Sequence, residues 1–133
     1  MNAKESKAGE FNKILMEICL GIIHRMPNDM DMHSTWNKIK IAKQVDTESI
    51  IQISGPFLWK YRDNIREGNF NFLFIGEFDE ADEIKKNNEY NIIYKKISQC
   101  FANDMSAAER KYIIDRIKSM FYIYVEYLAL CKK

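Results

Sequence analysis

The sequence predicts an all-α protein: a single compact bundle of five to six helices with a long C-terminal helix at its centre. Three observations lead there. Apolar residues recur at three- and four-residue spacing through most of the chain, the period of one helix face. Helix start and stop residues punctuate those runs. Only "NFNFLFIG" at 69–76 alternates like a strand, and a lone strand has no ladder for its backbone donors and acceptors. With 133 residues, 47% of them hydrophobic and 29% charged, the chain suits one well-filled core and leaves little room for a second. Residues 1–7 are polar and are expected to be a flexible lead into a domain spanning 8–133.

Phe11, Ile14, Leu15, Ile18, Ile22 and Met26 mark a first helix over 8–26, closed by Pro27, which disfavours helical geometry at the residue before it. Gly21 is a local weakness within it, costing about 1 kcal/mol relative to Ala unless close packing needs the missing side chain. "HSTWNKIKIAKQV" at 33–45 offers Ser34 or Thr35 as N-cap and a short amphipathic helix behind it. Asp46 or Thr47 can start a further turn or two, which Gly55-Pro56 is expected to stop. Pro56 then opens a helix over about 56–67, with Gly68 as its C-terminal cap. The connector at 69–76 is expected to push Phe70, Phe72, Phe74 and Ile75 inward. Residues 79–101 read as a short helix and a longer one, with Asp79 capping the first and Phe78 anchoring its start. "SAAE" at 106–109 is a capping box, and the apolar stripe from Ile113 to Cys131 predicts a helix over 106–131.

Most chemistry is excluded by what the sequence lacks. "FDEADEI" contains DEAD, the letters of a helicase magnesium motif, but no GxxxxGK[ST] loop accompanies it to hold the phosphates. Acids in a first helical turn favour the positive end of the helix dipole, which accounts for the string without a ligand. His24 and His33 stand without Cys, Asp or Glu at metal-ligand spacing, and neither "NDMD" nor "FDEADEI" has the oxygen spacing of a calcium loop. Cys19, Cys100 and Cys131 are odd in number and far apart, so buried thiols in a reducing compartment are expected rather than a disulfide framework. Ser54 lies in "ISGPF", which is not a GxSxG elbow. No cofactor or metal is expected, and the chain reads as non-enzymatic. The N-terminus carries no apolar signal core, and the longest apolar run, 120–131, is too short to span a membrane.

Binding is what remains. The second half of the last helix is apolar nearly all round, which requires either a central place in the bundle or a partner. Phe121, Tyr122, Tyr124 and Tyr127 are the candidate partner-binding residues, because Tyr joins a large apolar ring to a polar tip. The alternative is a nucleic-acid surface on Lys38, Lys40 and Lys43, with Arg110, Lys111 and Lys118 as further contacts. "KIAKQVDTESIIQISG" has the rhythm of a helix-turn-helix, although its second helix offers few donors for base edges. The net charge of +1 gives no chain-wide attraction to polyanions.

"FNKILMEI", a Pro ending that helix, "YRDNIREGNFNFLFIGEFDE" and a final helix rich in Tyr, Leu and Ala together resemble small uncharacterised all-helical proteins of large nucleocytoplasmic DNA viruses and large phages. That resemblance covers most of the chain and supplies no catalytic or binding residue. It implies a viral protein of the host cytoplasm, nucleus or virion, acting in assembly or against a host factor. The missing catalytic constellations and the apolar C-terminal helix make protein-protein interaction the expected function, as a structural or adaptor component or a homo-oligomer.

Overall fold

The computed structural model describes residues 2–74, 92–101 and 106–132. Among them the chain is all helix: α1 (Ala3–Arg25), α2 (Met30–Val45), α3 (Ser49–Lys60), α4 (Arg62–Glu67), α5 (Asn71–Phe74), α6 (Ile92–Phe101) and α7 (Ala107–Cys131). The acidic helix start expected at Asp79, with Phe78, and the inward side chains of Phe74 and Ile75 lie outside what is described.

The centre of the bundle is the antiparallel pair of α1 and α7, its most extensive helix contact. Three ion pairs set the register: Lys7 with Glu126, Glu17 with Arg116 at 2.9 Å, and Arg25 with Glu109 at 2.6 Å. Between the helices Phe11, Leu15, Ile18 and Ile22 of α1 meet Ile113, Ile117, Met120 and Phe121 of α7 in one buried core. Removing each such side chain from water contributes roughly 1.5–3 kcal/mol. The remaining faces of α1 take α2, α3 and α6, and α7 also packs on α3.

Helix boundaries follow capping chemistry closely. α1 starts at Ala3 rather than near residue 8, because the Asn2 side-chain oxygen accepts from the Glu5 N–H at 2.8 Å and Lys7 is held by Glu10 and Glu126. The lead expected to be flexible is thus helical from Ala3. α2 starts at Met30, not behind Ser34 or Thr35, because Asp29 accepts from the Met32 N–H at 3.1 Å. Asp29 also receives the ammonium of Lys96 on α6 at 2.7 Å, with Asp31 at 3.5 Å. One carboxylate therefore caps α2 and fastens α6. Asn12 ties α1 to the α2–α3 turn by donating from Nδ2 to the Thr47 carbonyl at 2.9 Å.

The largest departure from expectation is α3, which runs straight through Gly55-Pro56. Pro56 removes one N–H from the helix ladder, at an exposed position. Gly55 is there for packing rather than termination: a Cβ at that position would overlap the ring of Tyr124 on α7. Beyond it Phe57 and Leu58 are buried and hold the helix to Lys60. The chain breaks at Tyr61, and α4 ends as expected at Gly68, whose φ of +78° is the left-handed cap conformation.

The described part of the aromatic connector forms a short helix over Asn71–Phe74, with Phe70, Phe72 and Leu73 buried. Phe72 stacks on Tyr61 with centroids 4.3 Å apart, and Phe57 stacks on Tyr94 of α6 at 4.0 Å. Tyr94 and Ser54, both inside this cluster, satisfy each other's hydroxyls at 2.9 Å. α7 begins with the expected capping box, Ser106 accepting from the Glu109 N–H while the Glu109 carboxylate accepts from the Ser106 N–H.

Candidate interaction surfaces

Three of the four aromatic residues expected to face a partner are spent inside the chain. Phe121 is fully buried, Tyr124 packs on Gly55, and Tyr127 is buried with its hydroxyl donating to Glu48 Oε1 at 2.7 Å and accepting from Gln52 Nε2 at 3.1 Å. Burial, then the Glu48 carboxylate, push the Tyr127 phenol up from its ordinary pKa. The apolar girth of α7 is covered by α1 on one side and α3 on the other, so no external partner is needed to bury it. Tyr122 alone of the four stands outside, 53% exposed.

The lysines also divide. Residues two apart on a helix point about 160° away from each other, so Lys38 and Lys40 lie on opposite flanks of α2, while Lys40 and Lys43 share one. Lys40 and Lys43 line a crevice of about 250 Å³ between α1 and α2, together with Met16, Trp36 and Gln44. Trp36 is packed against the core on one side and open to the crevice on the other. Neither lysine enters an ion pair with a described residue. Arg110, Lys111 and Lys118 lie on α7, which packs on α1 and α3, so they do not extend this crevice. Gln52, needed as a donor in a helix-turn-helix reading, is tied to Tyr127, and Ile50 and Ile51 are core.

The outward face of α2 is the most exposed apolar surface of the described residues. Met30, Ile41 and Val45 are 75%, 63% and 82% exposed. With Ser34 they fall within about 60° of arc, along roughly 22 Å of helix. Lys38 edges this strip on one side and Lys40 on the other. The buried side of α2 is Met32, Thr35 and Ile39, which leaves Ile41 and Val45 on the far side.

A third feature is a cleft of about 420 Å³ where the end of α1 meets the start of α7. Ile22, Ile113, Tyr112 and Gly21 give it apolar walls, and the Arg25–Glu109 pair closes its rim. Nothing lies within 4 Å of the place a Gly21 side chain would occupy, so packing does not explain that glycine. A polar crevice further along the same helix pair holds Glu10, Lys13, Glu17 and Arg116, and its charges are largely neutralised by Lys7–Glu10 and Glu17–Arg116.

Reactive groups are scattered rather than gathered. Cys19 is buried and desolvation pushes its thiol up to about 12; Cys100 is half-buried and Cys131 exposed. His33 donates from Nε2 to the Pro27 carbonyl at 2.7 Å. Among the described residues no three His, Cys, Asp or Glu side chains converge on a metal position, and no helix is long and apolar enough to cross a membrane. No protein-family model matches the chain, and neither does any curated protein or solved structure.

Proposed function

We propose that the protein is a non-enzymatic binding component, an adaptor or assembly subunit, which docks a helix of another protein on the outward face of α2. The observation that carries this reading is the exposure of Met30, Ile41 and Val45 on one face. Burying Ile41 and Val45 alone against a partner is worth roughly 1.5–3 kcal/mol each before the cost of association. Lys40 at the edge of the strip favours an amphipathic helix whose apolar stripe is flanked by Asp or Glu, because that arrangement pairs charge at the rim. A second copy of the chain is the poorer occupant, since two α2 faces brought together set lysines against lysines.

Photo-crosslinking from position 38 identifies the partner, and titration of that purified partner gives the affinity. The variant Ile41→Asp/Val45→Asp is expected to bind at least about tenfold more weakly with an unchanged helical circular dichroism spectrum. Equal affinity for variant and parent overturns the proposal. So does crosslinking that joins only copies of this chain.

A further inference from the structure

We infer that the crevice between α1 and α2 is a site for a nucleotide unit presented by single-stranded nucleic acid, with the base on Trp36 and the phosphates on Lys40 and Lys43. Trp36, Lys40 and Lys43 stand at i, i+4 and i+7 on α2, one turn apart on one flank, and all three line the crevice with Met16 and Gln44. Packing against the core fixes the indole, so a base that lies on it meets a pre-positioned surface. A π-face beside a positive track is the combination that holds single strands, because every base stacks and every nucleotide brings a phosphate. Gln44 adds both a donor and an acceptor for a base edge.

Charge and size narrow the ligand further. Residues 32–45 contain Lys38, Lys40 and Lys43 and no acid, so α2 brings only positive charge to its side of the crevice although the chain as a whole is nearly neutral. Neither lysine of the crevice is occupied by a carboxylate of the described residues. A volume of about 250 Å³ is below the range of about 300–1,000 Å³ that encloses a drug-sized ligand. It suits one base against an open wall, with the rest of the ligand outside. A duplex fits poorly, because its bases are already stacked on one another and none is free for the indole. The site lies on a different flank of α2 from Ile41 and Val45, and Lys40 is the one residue it shares with the edge of the protein-docking face.

The chain has two tryptophans, so Trp59→Phe leaves Trp36 as the only indole reporter. Titrating that protein at about 50 mM salt with an oligothymidylate of about a dozen residues is expected to quench its fluorescence. Two phosphate contacts give a logarithmic salt slope of roughly −1.4, so affinity should fall about sevenfold between about 50 and 200 mM salt. In the full chain, followed by anisotropy of a labelled oligomer, Trp36→Leu should weaken binding at least about fivefold. Lys40→Gln/Lys43→Gln, at exposed positions that leave the fold alone, should remove measurable binding, while Lys38→Gln stays within about twofold. No quenching overturns the proposal. So does a Lys38→Gln loss equal to that of the crevice lysines, or inorganic polyphosphate competing as well as the oligomer, since either reduces the effect to unspecific charge. Thymidine monophosphate binding as tightly as the oligomer overturns the strand as the source while upholding the base-and-phosphate site.

Discussion

Gly21 and Gly55 both sit inside long helices and answer the same substitution in opposite ways. A side chain at Gly21 meets nothing within 4 Å, so Gly21→Ala gains helix propensity without a clash and should stabilise the protein by about 0.5–1 kcal/mol. A side chain at Gly55 overlaps the Tyr124 ring in the core, so Gly55→Ala should destabilise by about 1–3 kcal/mol; urea midpoints of the two variants read the difference directly. Asp29 is a second position where one side chain has two tasks. Burial pushes its carboxyl up, but the Lys96 ammonium and the Met32 N–H outweigh that, and the net shift is downward. For Lys96 burial lowers the pKa, and Asp29 and Asp31 more than restore it, so the net shift is upward. The Asp29 contribution is therefore complete above its unfolded pKa of about 3.9 and is lost as pH falls through the lower folded value; the Lys96 contribution is complete below about 10.4 and is lost as pH rises through the higher one. Asp29→Asn should cost about 1.5–3 kcal/mol at neutral pH, with the difference from the parent protein shrinking below about pH 4 in urea titrations at the two pH values.

Among the elements, α7 was legible in the sequence because its start and its periodicity agree: Ser106 and Glu109 form the capping box, and the stripe from Ile113 to Tyr127 is the buried face. Ser106→Ala should accordingly cost about 1 kcal/mol in thermal or urea unfolding. α3 was not legible, because Gly-Pro reads as a stop on local grounds and only the neighbouring Tyr124 ring explains why the glycine is there. Local preference still acts against that helix, and Pro56→Ala should return the missing ladder hydrogen bond and stabilise the fold by about 1–3 kcal/mol. α2 illustrates the same limit at a surface. Its amphipathic period is plain, but which side chains remain in water depends on α1 and α3 packing against it, and so Lys38, Lys40 and Lys43 read as one face when they form two. The open side of Trp36 is hidden in the sequence for a related reason. An indole at helical spacing reads as core, and only the placement of Met16 and the two lysines around it leaves one side of the ring open. In α7 the tyrosines read as partner-facing because the helix is apolar nearly all round, and the α1 and α3 surfaces that cover it come from far away in the sequence.

For the molecule as a whole, the α1–α7 pairing joins segments far apart in the chain, and the thiols report on it. Cys19 lies in the core face of α1 with its thiol pushed up to about 12 by burial, whereas Cys131 is exposed. A thiol reagent at neutral pH should modify Cys131 at once and Cys19 only as fast as the bundle opens, so mass spectrometry of the labelled positions over time measures global opening. The wide separation also bears on biosynthesis. Arg25 and Glu109 are 84 residues apart, and at a translation rate of about 5–20 residues per second α1 emerges from the ribosome roughly 4–17 s before the start of its principal partner. During that interval Phe11, Leu15, Ile18 and Ile22 lack the α7 face, and of the described helices α2 and α3, and later α6, are there to cover them. The nascent chain is thus most open to chaperones, and to misassembly with its neighbours on a polysome, along the helix face that ends in the buried core of the finished protein.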